Sequence, residues 1–264
     1  MRVLIVSRKQ FFAVSAFCIM FLSGLLFGIH AAAEFASAGD SRILPIYRVA
    51  CTDDEDRRIA LTFDVAWTNS DLSEITEILD KYQAKATFFC TGSWLDDYPE
   101  DAKSLFNAGH DVQNHSDRHP HVAEMDTASL LADTDACSQK IKALTGMQPD
   151  LYRAPYGEYD NEMMAALEGA GMQVIQWDVD SRDWQEETTV SRIVSNVRKH
   201  TRPGSILLFH VDAKPGCTPE ALDQILQDFS KDGYSFVLVR DLIYPADASR
   251  IDSQGEQHPI SPNA

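Results

Sequence analysis

Between residues 57 and 245 the chain alternates between short apolar runs that are typical of strands and longer amphipathic segments that are typical of helices. The strand-like runs are RIALTF, AKATFFC, HDVQNH, LYRAP, MQVIQWD, SILLFH and YSFVLV. The helix-like segments between them include DLSEITEILDKY, PEDAKSLFNAG, TASLLADTDACSQKIKAL and TPEALDQILQDFSKDG. Repeated strand–helix units place their strands parallel in one sheet that helices cover. The pattern therefore predicts an α/β fold, a distorted (β/α) barrel of about seven parallel strands.

Polar side chains of the kinds used in catalysis follow the strand-like runs, where each run ends. They fall in five stretches: TFDVAW (62–67), HSDRH (115–119), RAPYG (153–157), DVDSRDW (178–184) and ILLFH (206–210). The carboxyl ends of parallel strands meet at one rim of a barrel, and barrel enzymes keep their active sites at that rim. We therefore predict an enzyme whose site draws on Asp64, His115, His119, Arg153, Asp180, Asp183 and His210.

The N-terminal segment is typical of a membrane-targeting sequence. Three basic residues lie in residues 1–10, and residues 11–33 carry no Asp, Glu, Lys or Arg. This length matches the roughly 20 residues that cross a bilayer, although Ala36-Ser37-Ala38 would also suit a signal peptidase. We expect a transmembrane anchor at 11–33 behind a cytoplasmic N-terminus, with the folded domain outside the cytoplasm. Secretion after cleavage is the alternative.

The segments that flank the repeat region are polar. Residues 34–56 are predicted to be a tether, and residues 246–264 a loosely packed C-terminal tail. The formal net charge of −17 argues against nucleic acid as a partner, because nucleic-acid phosphates bind basic surfaces. The expected ligand is neutral, cationic or held by local contacts, and a glycan meets this condition. The sequence leaves the oligomeric state open.

Together and in this order, the five stretches resemble the motifs of the polysaccharide deacetylase family, whose domain is called the NodB homology domain or carbohydrate esterase family 4 (CE4). The resemblance covers about residues 57–245. It implies a hydrolase with a distorted (β/α) barrel that removes acetyl groups from N-acetylated sugars of peptidoglycan or chitin, or O-acetyl groups from xylan, using a divalent metal. The N-terminal segment and residues 42–67 are similar to the sporulation-type, PdaB-like branch.

The resemblance implies metal and base residues. His115 and His119 match the family's metal histidines, and imidazole is a good ligand for Zn²⁺, the metal we expect, with Co²⁺ or Ni²⁺ as alternatives. Asp64 matches the base that takes a proton from the attacking water, and it is also a candidate ligand. Arg153 matches the residue that orients this base by a charge-assisted hydrogen bond.

The resemblance also implies the remaining parts of the machinery. His210 matches the general acid, and Asp183 matches the carboxylate that holds it and raises its proton affinity. The backbone N–H of Tyr156 matches the donor to the oxyanion. Trp184 and Leu208 match the apolar walls of the acetyl pocket. The expected reaction is de-N-acetylation of cell-wall peptidoglycan, with chitin-type oligosaccharides as an alternative substrate.

The first stretch departs from the family pattern. Most members read TFDD, whose second Asp completes the metal's ligand set, and Val65 stands at that position here. Three outcomes are open: Asp64 binds the ion itself, the two histidines hold it with water, or Asp71 reaches in. Asp71 and Glu74 are spaced as in a helix cap, so we favour a weaker site with Asp64 near the metal. The alternative function is a catalytically impaired glycan-binding relative.

Overall fold

The computed structural model describes residues 42–53, 55–211, 213 and 216–260. The predicted anchor at 11–33 lies outside the described residues. Across the described ranges, every helix is too short or too polar to cross a membrane.

Eleven strands form two separate sheets in the described part of the chain. They are β1 (Arg48–Val49), β2 (Arg58–Val65), β3 (Ala86–Cys90), β4 (Asp111–Asn114), β5 (Leu151–Tyr152), β6 (Gln173–Val174), β7 (Val179–Asp180), β8 (Ile206–His210), β9 (Ser235–Val237), β10 (Ser249–Ile251) and β11 (Glu256–Pro259).

The larger sheet is parallel throughout and has the order β6-β5-β4-β3-β2-β8-β7, with β9 paired to the start of β2. Seven strands of this curled sheet confirm the predicted distorted (β/α) barrel. The strand-like runs predicted from the sequence contain every strand of this sheet except β7, which lies in the DVDSRDW stretch.

The helices of the described chain cover this sheet. They are α1 (Leu72–Lys81), α2 (Gly92–Asp97), α3 (Pro99–Asn107), α4 (Thr127–Thr145), α5 (Asn161–Gly169), α6 (Val190–His200), α7 (Cys217–Lys231) and α8 (Val239–Leu242). In α1 the buried residues are Leu72, Ile75 and Leu79, which repeat at helical spacing on one face. Helix α4 ends at Gly146, whose left-handed backbone (φ 77°) lets its N–H reach the Lys142 carbonyl.

A stack of phenylalanines fixes the centre of the sheet. The Phe63 ring on β2 lies 5.0 Å from the Phe88 ring on β3 and 5.6 Å from the Phe209 ring on β8, between ring centroids. All three side chains are fully buried, and aromatic pairs at this spacing contribute beyond the area that they bury. The stack fixes a register in which Asp64 is the partner of His210 on the neighbouring strand.

The three-stranded sheet lies where the sequence predicted a tether and a loosely packed tail. Strand β1 pairs in parallel with β11, and β10 pairs antiparallel with β11. The Gln257 side chain of β11 is buried, and its amide donates to the Tyr244 carbonyl (2.8 Å) and to Ser249 Oγ (2.9 Å). The folded unit therefore extends beyond 57–245, because the hydrogen bonds of Gln257 and the burial of Ile46 and Val49 in an apolar cluster order these segments.

Candidate active site

The five motif stretches meet around one cleft of about 460 Å³ at the carboxyl ends of the strands. This volume is within the usual range of ligand pockets. Eight of the predicted site residues line the cleft: Asp64, His115, His119, Tyr156, Asp180, Trp184, Leu208 and His210. Arg153 and Asp183 lie directly behind it and are fully buried. The structure thus brings all ten together, while their chemical roles stay predictions.

Asp64 and Arg153 form a buried ion pair on the floor of the cleft. Arg153 Nη1 donates to Asp64 Oδ1 over 2.9 Å. Burial alone would raise the pKa of Asp64, but the neighbouring His115, Arg153 and His210 outweigh it and hold that pKa below its ordinary value. Asp64 is therefore ionised at neutral pH and is able to accept a proton.

The Arg153 guanidinium is held on every side, which makes it a fixed part of the fold. It also donates from Nη1 to Thr62 Oγ1 (2.8 Å), from Nη2 to the Gln176 carbonyl (3.0 Å) and from Nε to the Ile175 carbonyl (3.3 Å). The Phe89 ring lies 4.2 Å from the guanidinium carbon. The sequence analysis missed Thr62. Its hydroxyl accepts a hydrogen bond from the Arg153 guanidinium and donates one to the Leu207 carbonyl over 2.6 Å.

His115 and His119 present neutral imidazoles to the cleft. His115 Nδ1 donates to the Arg153 carbonyl over 2.8 Å, which directs Nε2 toward Asp64 Oδ2 at 3.6 Å. Burial lowers the pKa of both rings, and it lowers the pKa of His119 to about 4 with a smaller contribution from His115. A neutral imidazole is the form that binds a metal.

These residues fit a divalent ion in part. The two rings lie 5.0 Å apart between centroids, and the buried Nδ1 of His119 has no hydrogen-bond partner among the described residues. Among the histidine, cysteine, aspartate and glutamate side chains of the described residues, one group of three has its ligand atoms within 4.8 Å of one another. This group is Asp252, Glu256 and His258. The predicted ligands Asp64, His115 and His119 do not reach that spacing as a set, although His115 Nε2 lies 3.6 Å from Asp64 Oδ2. The wider gap therefore involves His119, and the set lacks a third ligand at close range.

Neither Val65 nor Asp71 supplies the missing ligand in this structure. Val65 is fully buried in the largest apolar cluster, and the cleft is lined by the residues on either side of it, Asp64 and Ala66. Asp71 is not among the described residues that line the cleft. It occupies the residue before α1 as predicted, but its side chain makes no capping hydrogen bond.

His210 and Asp183 form the second charged pair. His210 Nδ1 and the His210 backbone N–H both donate to the Asp183 carboxylate over 2.8 Å. Burial alone would lower the pKa of His210, but Asp183, with help from Asp64 and Asp180, raises it above its ordinary value. The Thr218 hydroxyl on α7 also donates to Asp183, over 3.0 Å. Thr218 lies 35 positions from Asp183, so no local pattern pointed to it.

Tyr156 holds a strained backbone at the rim. Its φ of 60° is in the left-handed region, a backbone conformation that residues other than glycine adopt at a cost in free energy. The turn's own hydrogen bonds run from Gly157 to Ala154 and from Glu158 to Pro155, so they do not use the Tyr156 N–H. The Tyr156 ring stacks on His121 (4.1 Å, 11°), whose Nδ1 contacts Glu158 Oε1 at 2.8 Å. His121 matches no motif, yet here it supports the predicted oxyanion donor.

Two residues outside the motifs position the histidine loop. Asn114 accepts the Ser116 N–H over 2.8 Å and donates to the Thr134 carbonyl over 2.8 Å. The N–H of Gly92 donates to the Ser116 carbonyl over 3.0 Å. A Cβ at Gly92 would lie 1.8 Å from Asp117 Oδ1, so only glycine allows this approach.

Comparison with known proteins finds similarity to polysaccharide deacetylases. A family model described as polysaccharide deacetylase matches residues 52–175. A peptidoglycan-N-acetylglucosamine deacetylase of Bacillus cereus is 33% identical over 68% of this chain and 66% of its own. A chitooligosaccharide deacetylase of Bradyrhizobium sp. is 31% identical over 69% of this chain and 83% of its own. The solved structure of a CE4 family pseudoenzyme from Bacillus anthracis has 30% identity and a TM-score of 0.70, covering 75% of this chain and 68% of that one.

Proposed function

Because the chain belongs to the polysaccharide deacetylase family, we propose that it is a metal-dependent de-N-acetylase of peptidoglycan. The observation that carries the proposal is the presence of two oriented pairs in one cleft: Asp64 with Arg153, and His210 with Asp183. Amide hydrolysis needs a base for the attacking water and an acid for the leaving amine. A module that only binds glycan requires neither pair.

Asp64 is the base in this mechanism. Its Oδ1 is held by Arg153, so its position is fixed while the remaining oxygen faces His115 and receives the proton of the attacking water. A divalent ion held by His115 and His119 would supply Lewis acidity to the water and to the acetyl carbonyl. We propose Zn²⁺ for this ion, because two imidazoles and a carboxylate suit it.

His210 and Tyr156 complete the reaction. The backbone N–H of Tyr156 stabilises the negative charge that develops on the acetyl oxygen. His210 donates its proton to the nitrogen of the sugar as the C–N bond breaks, which gives acetate and a free amine. Trp184 and Leu208 line the cleft on this side and hold the acetyl methyl group away from water.

A second candidate is a glycan-binding relative with impaired turnover. It is favoured by Val65, which leaves the ligand set incomplete, and by the similarity to a structure described as a pseudoenzyme. A missing ligand weakens metal binding. The two candidates therefore differ in whether acetate is released once metal is supplied.

We propose that the domain acts outside the cytoplasm, held to the membrane by residues 11–33, with secretion after cleavage as the alternative. This proposal rests on the charge and length of that segment and on the peptidoglycan named as the substrate of a relative. A role in sporulation rests on the similarity of residues 42–67 to that branch of the family.

The proposed function is tested by acetate release from purified peptidoglycan, with N-acetylglucosamine oligomers as the comparison substrate. We expect the purified protein, supplied with Zn²⁺, to release acetate from peptidoglycan. If glycan is bound but no acetate appears with Zn²⁺, Co²⁺ or Ni²⁺, the impaired relative is the correct description.

Asp183→Asn is expected to move the alkaline limb of the pH–rate profile to lower pH. The general acid must be protonated, so activity is present below the pKa of His210 and is lost as the pH rises through it. Asp183 raises the pKa of His210, so removing the Asp183 charge lowers that pKa. The pH range in which the enzyme is active then ends at a lower pH. The profile of kcat/KM against pH measures this shift.

The matched control for this variant is Asp223→Asn, which removes a surface carboxylate paired with Lys81. Asp223→Asn should leave the profile of kcat/KM against pH unchanged. An alkaline limb that does not move in Asp183→Asn would mean that another group limits the rate at high pH.

A further inference from the structure

Exposed aromatic side chains converge at the mouth of the cleft. In the described part of the chain, the large aromatic residues that are exposed are Trp67 (66%), Trp184 (54%) and Tyr156 (57%). All three line this one cleft. Single exposed apolar residues are ordinary, but several around one concave site mark a ligand contact. Trp67 has no role in the mechanism above, so its exposure calls for another explanation.

The backbone of Trp67 is fixed although its ring is open to solvent. The carbonyl before it, on Ala66, accepts from Thr91 Oγ1 (3.4 Å), and the carbonyl after it, on Thr68, accepts from the indole Nε1 of Trp94 (3.2 Å). Trp94 is fully buried. The Trp67 ring lies 5.4 Å from the His119 ring, between centroids. A flat ring on a fixed backbone loses little entropy when it binds a ligand.

Trp67 and Trp184 contact different loops around the cleft. Trp67 contacts His119 of the loop after β4, whereas Trp184 follows β7, where its indole Nε1 contacts Asp180 Oδ2 at 3.5 Å. In the sheet, β2 with Asp64 lies between β4 and β7. A glycan chain that extends from Asp64 toward the histidine loop therefore passes the Trp67 ring.

We propose that Trp67 stacks on a pyranose ring next to the sugar that is deacetylated. The substrate class in this proposal rests on the proposed function. A pyranose has an apolar face of C–H groups and a rim of hydroxyls, which suits an aromatic ring that is half in water. The net charge of −17 does not oppose such a neutral ligand.

The proposal is tested by binding rather than by turnover. Binding of the N-acetylglucosamine tetramer and of the monosaccharide is measured by calorimetry, in the Asp64→Asn background to prevent hydrolysis. We expect Trp67→Leu to weaken binding of the tetramer roughly tenfold, because stacking is lost, and to change binding of the monosaccharide by less than twofold. Trp67→Phe keeps a flat ring and should retain most of the tetramer affinity.

The matched control is Met147→Ala, which removes an exposed apolar side chain that does not line the cleft. It should leave both affinities unchanged. The proposal would be overturned if Trp67→Leu and its parent bound the tetramer with equal affinity. It would also be overturned if Trp67→Leu lost the same factor of affinity for the monosaccharide as for the tetramer. Because the readout is binding, tetramer binding that depends on Trp67, together with no acetate release by the wild-type protein, would refute the proposed function and keep this one.

Discussion

Replacing Arg153 with methionine is expected to lower the free energy of unfolding by about 3–5 kcal/mol, the cost of breaking a buried ion pair by removing one partner. The substitution leaves the largely buried Asp64 carboxylate without its main donor. It also removes the donors to Thr62 Oγ1 and to two backbone carbonyls. Denaturant unfolding of the wild-type and variant proteins measures the difference.

Two comparisons separate this effect from a general loss of charge. Arg198→Met removes an arginine that is half exposed and paired with Asp228 over 2.7 Å, and a surface pair of this kind contributes about 0–1 kcal/mol. The double variant Arg153→Met with Asp64→Asn should lose less stability than Arg153→Met alone, because the unpaired charge is gone. If Arg153→Met were no more destabilising than Arg198→Met, the ion pair would not be a structural element of the cleft.

His210→Ala is expected to lower kcat for acetate release by about 10²–10⁴-fold, the usual contribution of a positioned acid. The effect follows from the Asp183 carboxylate, which holds the ring through Nδ1 and leaves Nε2 to donate its proton. His115 and His119 remain in this variant, so its zinc content should equal that of the wild-type protein. Acetate release and metal analysis of the same preparation give both values.

The matched control is His258→Ala, which removes a histidine from the small three-stranded sheet and should keep full activity. Loss of zinc from His210→Ala would show that His210 belongs to the ligand set. Full activity in His210→Ala would show that another group protonates the leaving amine.

The sequence predicted the barrel and the composition of its cleft because both follow from local patterns. Strand-like runs alternate with amphipathic helices, and each motif directly follows a run, so the topology alone brings the motifs to one rim. Asp64 and His210 lie in adjacent strands as a consequence. The family that the motifs indicated was confirmed by comparison with known proteins.

The parts that the sequence did not predict depend on distant contacts. Thr218 reaches Asp183, and Thr62 reaches Arg153, across 35 and 91 positions of the chain. The small sheet joins β1 to β11, more than 200 positions apart, and its strands β10 and β11 carry no strand-like apolar pattern. Val65 was recognised as a departure from the family, but its burial in the apolar cluster could not be read from one position.

The central claim is that Asp64 catalyses amide hydrolysis in this cleft although Val65 leaves the metal site incomplete. The most direct test measures acetate release from peptidoglycan by the wild-type protein and by Asp64→Asn, after chelation and again after Zn²⁺ is added. Chelation should abolish release by the wild-type protein and Zn²⁺ should restore it, whereas Asp64→Asn should stay inactive throughout. Equal release by the two proteins, or no release by the wild-type protein with any metal, would contradict the claim.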